Sequence, residues 1–167
     1  MPFFLRLNIM LSLVEVALEH KDQAQALEWM EQAQLLFDGS QWSPEQAIQY
    51  RGRMSGLRYL CGQQEEGRKY AEDTLKMFDI QYKAILNIHL CRTLLPLAKA
   101  YQVMGDGATA EKVFSRAQEE GLVNPNSRPR AESLSELACA MVESGFEPSA
   151  ELWQAMQTAK AALKDPW

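Results

Sequence analysis

Apolar residues recur at intervals of three and four along most of the chain, and the runs are broken by short polar or glycine-bearing stretches. No window alternates apolar and polar residues as a half-buried strand does, so the pattern predicts an all-α protein. Eight helical segments follow. The first runs from about Phe3 to His20, with Leu5, Ile9, Leu13, Val16 and Ala17 expected inward. Asp22 caps a second, carrying Ala26, Met30 and Ala33, that ends near Phe37 before Asp38-Gly39-Ser40. Ser43-Pro44-Glu45-Gln46 is a sharp start signal: an N-cap serine, proline in the first turn, and a glutamine placed to complete a capping box. The stripe behind it, Ala47, Tyr50, Met54, Leu57 and Cys61, stops at Gly62. A fourth helix is expected from about Gln64 to Phe78, with Glu65 and Glu66 favouring its N-terminus.

The fifth segment reads as one helix from about Asp79 to Met104, along Ile85, Ile88, Leu90, Leu94, Leu97 and Tyr101, with Pro96 inside it. Proline removes a backbone donor and crowds the carbonyl four residues earlier, which predicts a bend near Arg92 to Pro96; the alternative is a shorter helix that starts at Pro96. A sixth helix covers about Ala108 to Glu120 and ends at Gly121, and the stretch from Val123 to Arg130 is an inter-helix loop. The seventh spans about Arg130 to Ser144, ended by Gly145. The eighth has Pro148 in its first turn and runs to about Lys164.

The segment from Leu97 to Ala117 holds the most specific pattern. Leu97, Ala98 and Tyr101 form one stripe, Gly105-Asp106 makes a tight turn, and Ala110, Phe114 and Ala117 form the answering stripe. This resembles a tetratricopeptide (TPR) repeat. Weaker copies follow His20-Lys21-Asp22, Gly62-Gln63-Gln64 and Gly145-Phe146-Glu147, and aligning on Ala26, Gly67, Ala110 and Ala150 spaces the four units by 41, 43 and 40 residues. That exceeds the period of about 34 typical of such repeats, so longer helices or loops must absorb the difference. The resemblance implies a single domain over residues 1–167: a TPR-like α-solenoid, or superhelix, of about four antiparallel helix pairs.

It also implies a concave groove lined by the first helix of each pair, where a peptide or partner helix lies. Carried over by register, the groove positions are Asn8, Leu11, Ser12 and Glu15 in the first unit, and Gln49, Arg53 and Gly56 in the second. The third unit gives Arg92, Leu95, Lys99 and Gln102, and the fourth Glu132, Ser135, Glu136 and Cys139. Arg53, Arg92 and Lys99 then stand in the middle of the groove, with acidic Glu15, Glu132 and Glu136 toward its ends. The basic clamp with which some relatives hold a peptide C-terminus is not reproduced, because Pro96 occupies a position where a basic residue is expected.

The chain is long enough to bury a core, and its 47% apolar content is ordinary. A net charge of −5 argues against a phosphate-binding surface, and Arg51, Arg53 and Arg58 spread round one helix without an aromatic platform. No nucleic-acid partner is expected. The apolar opening lacks a basic region and cleavage site, and Asn8 and Glu15 interrupt it, so neither a signal nor a membrane span is expected. Cys61, Cys91 and Cys139 are odd in number and widely spaced, which suits free thiols in a reducing cytoplasm.

Catalytic chemistry finds little footing. Neither His20 nor His89 has a glutamate three residues before it, so the helix-bundle metal pair is missing, and His89 and Cys91 project about 200° apart on a helix. There is no nucleophile elbow and no phosphate-cradling glycine loop. No metal, cofactor or catalytic residue is assigned. The expectation is a protein–protein interaction scaffold, not an enzyme; the rivals are a sensor or regulatory segment that takes a small effector, and a helical-bundle enzyme. Self-association is possible through apolar Phe3, Phe4 and Trp167 near the ends.

Overall fold

The computed structural model describes residues 2–163. Among them are eight α-helices and no strand: α1 (Phe3–Glu19), α2 (Gln23–Asp38), α3 (Pro44–Leu60), α4 (Gln64–Gln81), α5 (Leu90–Val103), α6 (Gly107–Gly121), α7 (Ser127–Ser144) and α8 (Ala150–Ala161). Trp167 and Lys164 lie outside the described residues. The caps expected from sequence form. Asp22 accepts from the Gln25 amide at 3.0 Å, and Ser43 and Gln46 close the reciprocal capping box. Asp106, read from sequence only as part of a turn, also caps α6, accepting from the Thr109 amide at 3.1 Å.

Four left-handed residues, Lys21, Gly62, Gly105 and Gly145, follow α1, α3, α5 and α7 and turn the chain into the next helix. They stand 41, 43 and 40 residues apart, the spacing of the sequence units. The first three turns fold two helices back on one another, α1 with α2, α3 with α4 and α5 with α6, whereas α8 lies only sparsely against α7, short of the fourth tight pair expected from sequence. The odd-numbered helices also lie side by side. Gly52 and Gly56 of α3 approach Pro96–Leu97 and Ala100 of α5, and Arg92 and Lys99 of α5 reach Glu136 and Glu143 of α7. Both α5–α7 pairs are 44 residues apart, and an offset that stays constant along two helices means that they run in the same direction. Side chains tie the even-numbered helices together: Gln34 donates to Tyr70, and Arg116 pairs with Asp79.

Two apolar clusters fill the interior. One gathers Leu7, Leu11, Val14, Met30, Phe37 and Met54; the other gathers Ile48, Phe78, Leu94, Leu97, Ala98, Ala110, Phe114 and Leu137. Arg51 stacks 4.0 Å over Tyr70 and Arg58 shares that ring, while Arg53 points to α1, so the three arginines of α3 diverge.

The fold corrects four sequence expectations. Leu5, Ile9, Leu13 and Val16 are exposed, and Leu7, Leu11 and Val14 take the interior with Ala17. The first helix is apolar nearly all round, so periodicity alone leaves its rotation open; it is fixed by Asn8 and Glu15, which face Tyr50 and Arg53. The helix expected over residues 79–104 is not continuous: residues 79–81 complete α4, and α5 starts only at Leu90. It breaks at a 3₁₀ turn, Tyr82–Ala84, after which Ile85 enters the core in an extended conformation and Asn87 accepts a hydrogen bond from Asn124. Pro96 therefore lies in the middle of α5, neither at its start nor within a longer helix. α7 begins earlier than expected, at Ser127, which puts Pro129 in its first turn. Finally, α8 starts after Pro148, at Ala150, with Ser149 as its N-cap.

Candidate functional site

The odd-numbered helices share one groove of about 500 Å³, to which α1, α3, α5 and α7 all contribute. Its floor is apolar, made by Leu57 and Leu60 of α3, Leu95, Pro96, Ala100 and Val103 of α5, and Ala140 of α7. Leu60 and Val103 are more than two-fifths exposed, so the groove is open to solvent. Gly56 explains its shape. A β-carbon there would lie 3.3 Å from the Ala100 Cα, so the lack of a side chain lets α3 and α5 close up beneath the floor.

Charges stand along the rim and each is paired across a helix boundary. Arg53 grips Glu15 with two nitrogens, at 3.0 and 2.7 Å, and reaches Asn8 and Ser12 as well. Arg92 meets Glu136 at 2.7 Å and Lys99 meets Glu143 at 2.7 Å. Three cations and three carboxylates therefore balance. The basic centre with acidic ends read from sequence is instead a series of neutral pairs, because the acids of α1 and α7 fold onto the bases of α3 and α5.

Of the residues carried over from the family register, Glu15, Arg53, Gly56, Arg92, Leu95, Lys99, Glu136 and Cys139 line the groove. Asn8 and Ser12 border it through Arg53. Leu11 is fully buried in the N-terminal cluster and offers nothing to a partner. Gln49, Gln102, Glu132 and Ser135 do not line it; Glu132 pairs with Arg128 one turn away on its own helix. The register found Leu95 but missed the rest of the apolar floor and Glu143. Glu143 was open to discovery, since it stands seven residues after Glu136 just as Lys99 stands seven after Arg92.

Two thiols are sealed away. Burial pushes the Cys91 thiol up to about 12, and it points to the Ser133 carbonyl at 3.6 Å; burial also raises Cys61. Cys139 is exposed and lines the groove, at the position the register gave it. Tyr50 is raised above its ordinary value by burial, against the hydrogen bond that it accepts from Asn8 at 3.0 Å. Among the described residues, no group of three or more His, Cys, Asp or Glu is arranged to hold a metal ion, and no helix is long and apolar enough to cross a membrane.

No family model, curated protein or solved structure matches the chain.

Proposed function

We propose that this chain is a TPR-like α-solenoid that works as a cytoplasmic protein–protein interaction scaffold and binds an extended peptide or a partner helix in the groove of its odd-numbered helices. The observation that carries this reading is the groove itself: an apolar floor crossing several consecutive helices, with charges held along the rim. Burying apolar surface yields roughly 25 cal/mol per Å², and the floor supplies it, while neutral ion pairs along the rim cost an incoming apolar segment little. The open side at Leu60 and Val103 suits a length of chain better than a small effector, which needs enclosure on most sides.

The experiment is capture of a partner from the native source, followed by the double substitution Leu60→Glu and Val103→Glu. Both side chains are exposed, so the fold tolerates them while the floor becomes charged. Loss of the captured protein with an unchanged helical spectrum supports the reading. Capture that survives a charged floor sinks it.

A further inference from the structure

Leu5, Ile9, Leu13 and Val16 form an apolar stripe on α1 that no described helix packs over fully; each residue is 37–49% exposed. The molecule itself says what such a stripe is for. Aligned on the left-handed turn residues, these four positions correspond to Gln46, Tyr50, Met54 and Leu57 of α3, and to His89, just before α5, and Thr93, Leu97 and Ala100 within it. In those helices the last two positions are at most 5% exposed. Met54 and Leu57 are packed in the cluster that α1 and α2 supply, and Leu97 and Ala100 sit under Gly52 and Gly56 of α3. The stripe of α1 thus matches the seam by which α3 and α5 receive the preceding odd-numbered helix, and no described helix occupies it.

We propose that the stripe is the interface of a two-fold symmetric dimer of this chain, formed by antiparallel packing of α1 on α1. Three observations favour a second copy as the occupant. The spacing is nearly self-complementary under reversal: with the axis passing near residue 11, Leu5 faces Val16 of the other copy and Ile9 faces Leu13. Residues 7–14 carry no charge, so two chains of net charge −5 meet where neither presents one. Of the other exposed large apolar residues, Phe3 and Phe4 stand at the start of the same helix, Leu60 and Val103 belong to the groove, and Leu35, Ile80, Val142 and Trp153 are scattered over different helices. A self-contact of the stripe therefore uses the same patch twice and closes at two copies.

Sedimentation of the full chain across a wide concentration range tests this. The wild type is expected to run at twice its monomer mass. Ile9→Glu and Leu13→Lys, each alone, are expected to raise the dissociation constant more than roughly tenfold, since a charge buried in an apolar contact costs more than the ~1.4 kcal/mol of one decade. Mixing the two variants is expected to recover the dimer, because antiparallel packing sets the introduced carboxylate against the introduced amine. Both positions are exposed, and an unchanged helical spectrum excludes unfolding as the cause. A wild type that stays monomeric overturns the proposal and leaves the seam to a different chain. So does a dimer that survives Ile9→Glu, or a mixture that fails to recover it.

Discussion

Gly52 and Leu97 set the closeness of α3 and α5: a β-carbon on Gly52 would lie 2.8 Å from the Leu97 nitrogen, inside any real contact. The obstacle is backbone, which cannot swing aside as a side-chain tip does. Gly52→Ala is therefore expected to destabilise the fold by about 1–3 kcal/mol, the usual cost of overpacking. Gly56→Ala meets Ala100 at 3.3 Å, where a small shift suffices, and its gain in helix propensity of about 1 kcal/mol offsets most of the strain. Denaturant titration of both variants checks this. Equal stability of Gly52→Ala and wild type rules out the α3–α5 crossing.

Lys21 occupies a left-handed turn, at φ 59°, in the place where the other three turns use glycine. The conformation costs an L-residue roughly 1 kcal/mol, partly offset because glycine is freer when unfolded. Lys21→Gly is expected to raise stability by about 0.5 kcal/mol, read as a higher denaturation midpoint at unchanged slope. A lower midpoint contradicts the turn.

The rim pairs make a charge reversal informative only when both partners are changed. Arg92→Glu with Lys99→Glu sets like charges beside Glu136 and Glu143, and is expected to cost about 1 kcal/mol because the groups are partly exposed. Adding Glu136→Arg and Glu143→Lys is expected to restore the loss. Salt narrows the difference, since the Debye length is about 8 Å at physiological ionic strength. A reversal that costs nothing at low salt means that these pairs do not hold α5 to α7.

Of the three thiols, Cys139 alone is exposed. Native protein is expected to react once with a thiol reagent near neutral pH, and unfolded protein three times, because burial withholds Cys61 and keeps Cys91 protonated up to about 12. Mass spectrometry after brief labelling counts the adducts. Rapid labelling of Cys91 in the folded chain contradicts its placement.

Asp106 gives a pH signature. Hydrogen bonds from the Thr109 hydroxyl and amide hold its carboxyl below the ordinary carboxylate value. Its contribution is therefore complete above the unfolded value of about 3.9 and is lost as pH falls through the lower folded value. Asp106→Asn retains an N-cap without titrating, so the stability advantage of wild type is expected to shrink as the solution is acidified below about pH 4. An advantage that is constant through that window excludes the carboxylate as the source.

Helix number, caps and turns were legible because they rest on local chemistry: Ser43 with Gln46, Asp22 and the four turn residues act on amides within a few positions. The rotation of α1 was not, since its apolar residues encircle it and the choice belongs to Tyr50 and Arg53, far along the chain. The break at Tyr82–Ala84 was hidden in the same way, being completed by Asn124. At the groove, the register found five of the six paired charges but not Glu143 and not the pairing. Pairing depends on how far neighbouring helices slide, which no single helix encodes.

The third helix belongs to both apolar clusters, giving Ile48 to one and Met54 and Leu57 to the other. A helix gripped from two sides cannot loosen unless both interiors open. Its amide protons are therefore expected to be the slowest of the described helices to exchange with solvent, with local opening spreading inward from the outer helices toward Met54.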